Sequence, residues 1–313
     1  MAAINFTGNG QQKTLTELFC SPGLTAELYS QLTFISILNS LLSVTAFLGN
    51  ALILTALHKE SLLHPPSKLL LRNLVTTDLC VGLISEPLAV AYWMSVANGR
   101  WNICSPLTLA SFISSYILCG VSVSTLTAIS VDRLLALLLG LRYRQVVTLK
   151  RTYVIVINIW VTFIVLSAIW FWKPLIDLWC VNIVTSLCLL TSILSYTKIF
   201  LTLRHHQNQV QGHVQQPNQT NQLHTARYKK AVSTAIWLQL TLVACYLPSG
   251  VAEAFRANIG LSASLYNVRI YTTTLVYLNS SLNPILYCWK LNEVRQAVKN
   301  TIRQLFCHIS FAN

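Results

Sequence analysis

The residues able to do chemistry are few and oddly placed. Only 9 of 313 residues are Asp or Glu. Two of them, Asp78 and Glu86, interrupt an otherwise uncharged stretch from Arg72 to Arg100. An acid among apolar residues is costly, so it marks a candidate site; the plainer reading is an acid hydrogen-bonded to neighbouring helices. Ser122, Asn279, Ser280 and Asn283 fall near the middle of two other apolar stretches. One carboxylate with several neutral oxygens suits a small hard cation with water. It equally suits a buried, proton-sensitive network. Glu86 and Glu253 lie nearer the ends of their stretches, where a water-filled cavity could meet a cationic ligand or the side chains could snorkel to the surface. Asp132-Arg133 sets an acid beside a base, as a surface ion pair would. Pro248 and Pro284 lie inside apolar stretches, where a missing backbone bond kinks a helix and gives conformation a place to change.

The elements that must hold these residues follow from the charge gaps. Tyr29–Leu57, Trp101–Val131, Thr152–Trp172, Leu178–Thr197, Ala231–Ala252 and Ile270–Trp289 carry no charged residue. With the stretch holding Asp78, that makes seven runs of the ~20 residues needed to span a bilayer core. The sequence is 54% hydrophobic and 10% charged, where a soluble domain carries about 25% charged residues. This excludes a disordered chain. It also excludes a soluble nucleic-acid binder, despite the formal charge of +13. The expected fold class is an all-α membrane protein, a seven-transmembrane helix bundle. With the N-terminus outside, 17 of the 22 Lys and Arg fall on the inner side, a strong positive-inside bias. These inner clusters also suit anionic membrane lipid.

The predicted organisation is an extracellular segment over 1–28, the seven-span domain over 29–289 and a cytoplasmic tail over 290–313. In the tail, Leu291, Val294, Val298, Ile302 and Leu305 recur at helical spacing among basic residues, predicting an amphipathic helix on the inner membrane surface. The third inner loop, about 204–225, is rich in Gln and Asn and reads as a flexible polar linker. The loop between the fourth and fifth spans, 173–177, is too short to fold as a lid over an outer pocket.

No signal peptide is visible, and the first span is expected to act as the insertion signal. Asn5-Phe6-Thr7 is a glycosylation sequon on the outer segment. Of the 9 Cys, five fall inside spans as packing residues. Cys104 could bridge to Cys20 or to Cys180, and the sequence does not choose between them. Cys307 suits palmitoylation or a free thiol. No enzyme is expected, because no metal-ligand set falls within the spans and no His-Glu-x-x-His motif occurs. A transporter would show internal repeats, which are not seen.

Together these residues resemble the rhodopsin-like G protein-coupled receptors, over about residues 32–306. The matching motifs are Gly49-Asn50, Asn73-Leu74, Asp78 with Pro87, Ser122, Asp132-Arg133-Leu134, Trp160, Tyr196, Cys245–Pro248 and Asn279–Tyr287. The resemblance implies a sodium and water site at Asp78, Ser122, Asn279, Ser280 and Asn283, with no other cofactor. It implies that Arg133 meets the C-terminal helix of a heterotrimeric G protein and that Tyr196 and Tyr287 swing inward to support the open state. It places Tyr246 on the floor of the ligand pocket, with Ser115 and Tyr277 as further pocket candidates beside Glu86 and Glu253. It also implies a plasma-membrane location.

Departures from the family pattern carry expectations of their own. Leu134 replaces the usual Tyr, Tyr246 the usual Trp, Leu242 its aromatic partner and Cys188 the fifth-span Pro. Tyr228 replaces the acid that usually clamps the arginine, which predicts a low barrier to the active state and basal signalling. Thr108 holds the usual third-helix Cys position, and the usual loop partner is missing, so the family's standard disulfide is not expected. Ser115 stands where amine receptors carry Asp, and no Lys in the seventh span could hold retinal. A peptide or lipid is the expected ligand. The competing functions are a receptor-shaped scavenger or dimer partner and, behind it, a transporter.

Overall fold

A computed structural model describes residues 19–21, 28–59, 64–172, 174–213, 219–259, 262–290, 295–296 and 298–303. Among them the chain is helical and contains no strand. The helices are α1 (Tyr29–Lys59), α2 (Pro65–Cys80), α3 (Glu86–Ala97), α4 (Trp101–Leu139), the short α5 (Tyr143–Val146), α6 (Leu149–Trp172), α7 (Pro174–His213), α8 (Gln219–Ile259) and α9 (Ala263–Lys290). A π-helical turn, Val81–Ser85, joins α2 to α3 in one continuous rod. Among the described residues, five segments are long and apolar enough to cross a membrane, namely Tyr29–His58, Pro65–Ala97, Trp101–Val146, Leu149–Trp170 and Trp179–Thr202. α8 and α9 pack on α7 and α1 and close the ring. α4 runs through the centre, touching α2, α3, α6 and α7. Many large apolar side chains, such as Phe34, Ile157 and Leu187, face outward, as they must where the surroundings are hydrocarbon.

Breaks in the helices have local causes. α2 begins at Pro65-Pro66, where a missing N–H costs nothing in the first turn. Pro87 opens α3, and the wider π turn before it absorbs the hydrogen bond that Pro87 lacks. That turn lies hard against α1. Ser43 Oγ donates to the Gly82 carbonyl at 2.7 Å. A Cβ at Gly82 would come within 2.9 Å of the α1 backbone, so only glycine allows this approach. Gly140 ends α4 with φ +49°, a left-handed conformation that a side chain would oppose.

Two expectations change here. The Gln-rich third inner loop is shorter than predicted, because α7 continues to His213 and α8 starts at Gln219; Gln is a good helix former and extends both rods. The bundle is also covered from its N-terminal side. Cys20 is bonded to Cys104 near the start of α4, and Cys180 is a free thiol. The bond seats Phe19, which is fully buried, against Phe112 and Tyr266. The 173–177 segment expected as a short loop is helical from Pro174 onward, and residues 19–21 of the N-terminal segment supply a cover instead. Below, the end of the bundle holding Phe19 is called outer and the end holding Asp132 inner, after the orientation expected from the charges.

After α9, residues 298–303 are helical. Val298 and Thr301 are buried, and Ile302 packs on the core. Arg295 donates to the carbonyls of Cys288 and Trp289 at 3.1 and 2.9 Å, capping the end of α9 with a cation. Asn5 and Cys307 lie outside the described residues, as does the side chain of Tyr228.

Candidate functional site

Three polar layers are stacked along the bundle. The middle one is centred on Asp78, which is fully buried. Ser122 of α4 and Ser280 of α9 each donate to Oδ1 at 2.9 Å. Asn283 Nδ2 donates to Oδ2 at 2.7 Å. These bonds satisfy a carboxylate that would otherwise be prohibitively costly. They also tie α2, α4 and α9 at one point. Asn279, the fifth residue expected here, is buried, but its Nδ2 has no partner among the described residues. Further amide staples join neighbouring helices. Asn50 Nδ2 donates to the Ser280 carbonyl at 3.1 Å. Asn73 Nδ2 donates to Thr125 Oγ1 at 2.9 Å, while Trp160 Nε1 donates to Asn73 Oδ1 at 3.0 Å. Where the family has a fifth-span proline, the Cys188 carbonyl accepts from Thr127 Oγ1 at 3.2 Å.

The Asp78 layer has the donor set of a hard-cation site. One carboxylate and two hydroxyl oxygens converge, and each hydroxyl keeps lone pairs after giving its proton to Asp78. No group of three or more His, Cys, Asp or Glu suited to a metal occurs among the described residues.

The inner layer is built on Asp132, which is 4% exposed, next to Arg133 at 50%. Ser67 Oγ donates to Asp132 Oδ2 at 2.8 Å, and Tyr143 OH donates to Oδ1 at 2.7 Å. Arg133 Nε is 3.9 Å from the same carboxylate, too far for a hydrogen bond. Asp132 is thus committed to α2 and α5, and among the described residues it is the one ionic neighbour of Arg133. Tyr196 is buried near Ser130 and Arg133. Tyr287 is buried, and its hydroxyl has no partner among the described residues.

The outer layer is a cavity of about 200 Å³ between α3, α4, α7, α8 and α9. Tyr246 and Cys119 line it, and Tyr246 OH donates to the Cys119 carbonyl at 3.3 Å. Ser115 and Tyr277 line its wall and share a 2.5 Å hydrogen bond. Tyr92 and Tyr266 share another at 2.7 Å. Gly120 also lines it, and a Cβ there would collide with the Phe163 ring.

Of the two glutamates expected at a water-filled outer cavity, Glu253 lines this one and Glu86 does not. Glu86 is fully buried and lines neither this cavity nor a smaller one of about 140 Å³ between α4, α6, α7, α8 and α9. Both of its oxygens lack partners among the described residues. Glu253 does line the cavity, but it is claimed by two cations. Arg256 Nε lies 2.6 Å from its Oε2 and Arg269 Nε 2.7 Å from its Oε1.

The sequence reading missed Arg269, Phe19, Ser67 and Tyr143. Arg269 looked like one more outer charge, and nothing local marks it as turning inward. Tyr143 was hidden in a basic loop, although it follows Asp132 closely enough to reach back.

A profile described as 7 transmembrane receptor (rhodopsin family) matches residues 49–175 and 170–287. The chain is 25% identical over 296 residues to the histamine H2 receptor of Homo sapiens, covering 87% of this chain and 79% of that receptor. It is 23% identical over 310 residues to the high-affinity lysophosphatidic acid receptor of Xenopus laevis, covering 84% and 80%. It is 24% identical over 337 residues to the 5-hydroxytryptamine receptor 1D of Canis lupus familiaris, covering 86% and 88%.

Proposed function

The chain belongs to the rhodopsin family of seven-transmembrane receptors, and from that premise we propose a signalling receptor of the plasma membrane with its N-terminus outside. An extracellular ligand, a lipid or a peptide, occupies the outer cavity. A heterotrimeric G protein meets Arg133 at the inner end and exchanges its nucleotide.

The observation that carries this reading is the stacking itself. The cavity floor at Tyr246 on α8, the Asp78 knot joining α2, α4 and α9, and the half-exposed Arg133 lie along one axis. A ligand that favours one placement of α8 over another shifts the population at the inner end by its differential affinity. The Asp78 knot is a place where a sodium ion would hold the helices together: Asp78 would supply the charge, and Ser122 and Ser280 neutral oxygens. Pro248 and Pro284 lie inside α8 and α9, where the rods can bend without losing further hydrogen bonds.

The test is a panel of G-protein activation reporters in cells, run first without ligand. Signal above that of an Arg133→Ala variant expressed at equal surface level is the expected result. Silence across all G-protein subtypes, both without ligand and against lipid and peptide libraries, would overturn the reading.

A further inference from the structure

We propose that the outer cavity takes an acidic amphiphile, whose anionic head pairs with Arg269 and whose apolar chain runs down toward Val123 and Tyr246. This rests on the outer cavity being the ligand site, and it narrows the ligand by charge.

The charge balance at the mouth is the first support. Glu253 and Arg269 are the charged residues lining the larger cavity, and Arg256 joins them in the smaller one. One carboxylate faces two guanidinium groups, both at ion-pair distance. A cationic ligand would have to take Glu253 away from two arginines, whereas an anion meets one carboxylate competing for Arg269.

The second support is the state of Arg269. Its side chain is 18% exposed. Its guanidinium lies 4.2 Å from the centre of the Phe112 ring and 5.0 Å from that of Phe19. Two aromatic faces thus hold the group in place, as cation–π contacts do. Only Nε is used, on Glu253. The two terminal Nη groups make no hydrogen bond among the described residues, so the part of the fork best suited to a carboxylate or phosphate is the part left open.

The third support is the gradient of polarity with depth. Near the mouth stand Arg269, Glu253, Tyr92 and Tyr266, and deeper stand Val123, Phe163 and Cys119. A head-and-tail ligand matches that order, whereas a small hydrophilic acid would leave the deep apolar walls unfilled. The head would also compete with Glu253 for Arg269. Since Glu253 sits on α8 and Arg269 on α9, binding would loosen the clasp between those helices at the outer end.

The experiment is a thermal-shift titration of the purified full-length receptor in neutral detergent. The probes are oleoyl glycerol phosphate, oleate, monooleoyl glycerol, oleylamine and glycerol phosphate. The two acylated acids are expected to raise the unfolding midpoint in a saturable way, and the neutral and cationic oleyl compounds are not. Glycerol phosphate alone is expected to do nothing; a shift equal to that of the acylated form would overturn the amphiphile in favour of a soluble anion. Arg269→Gln is expected to weaken binding about tenfold to a hundredfold, the range for a hydrogen bond to a charged group, and Arg269→Lys to restore part of it. Glu253→Gln, by removing the competing carboxylate, is expected to tighten binding, whereas a purely structural role for the ion pair would predict loss. Equal shifts from the neutral or cationic probe, or an unaltered response in Arg269→Gln, would overturn the proposal. The readout needs no G protein, so failure of the signalling reading leaves it standing. Absence of any shift in a receptor that signals without ligand would overturn this inference alone.

Discussion

At the scale of single residues, the two deeply buried acids make opposite predictions. Asp78 accepts three hydrogen bonds, and Glu86 accepts none among the described residues. Asp78→Ala strands three donors, so a loss of about 1–3 kcal/mol per stranded group should appear as a lower unfolding midpoint in detergent. A sodium ion at this carboxylate, as proposed, predicts a higher midpoint in sodium chloride than in choline chloride at equal ionic strength, and Asp78→Ala should abolish that difference. Glu86→Gln removes an unpaired buried carboxylate and should leave the midpoint unchanged or higher. A fall comparable to that of Asp78→Ala would show that Glu86 has a partner the fold needs. Both acids stand out in the sequence by interrupting an apolar stretch, and position along it and the Asn73-to-Asp78 motif set Asp78 apart. The π turn between them is announced by no periodicity.

At the scale of elements, close helix approach and the N-terminal bridge are the features to probe. Gly82→Ala places a methyl group 2.9 Å from α1 backbone atoms, and the overpacking should cost about 1–3 kcal/mol. Gly250→Ala, in the interior of α8 with nothing within 4 Å of the new methyl, should instead stabilise by about 0.5–1 kcal/mol through helix propensity. Paired midpoints for the two variants check this. Cys20→Ser should lower the midpoint, because the Cys20–Cys104 bond closes 84 residues of chain and constrains the unfolded state. Cys180→Ser should leave it unchanged. The helices themselves were legible in the charge gaps, since a run without charge is what a bilayer requires. The disulfide was legible only as two alternatives, because pairing depends on where the N-terminal segment folds back, a contact between residues far apart in sequence.

At the scale of the whole molecule, the balance between resting and signalling states is the quantity at stake. Asp132 is satisfied by Ser67 and Tyr143, and among the described residues Arg133 is half-exposed with one distant ionic neighbour. So weak a restraint predicts that ligand-free signalling is measurable and falls to background in Arg133→Ala at equal surface expression. The architecture and the Asp78 knot could be anticipated, because family motifs mark them residue by residue. The charge of the outer cavity could not, because it depends on Arg269 turning inward beneath Phe19, and one-dimensional spacing carries no trace of that. The bridge at Cys20 has a last consequence, in terms of effective concentration. Phe19 is tethered twice through its C-terminal side, to α4 by the bond at Cys20 and to α1 by the short segment up to Tyr29. Its ring is therefore present at the cavity mouth at a fixed local concentration, of about millimolar order for a short tether, however dilute the receptor. Any ligand that must displace that ring meets the same internal competitor in every molecule, and its apparent affinity is independent of receptor density.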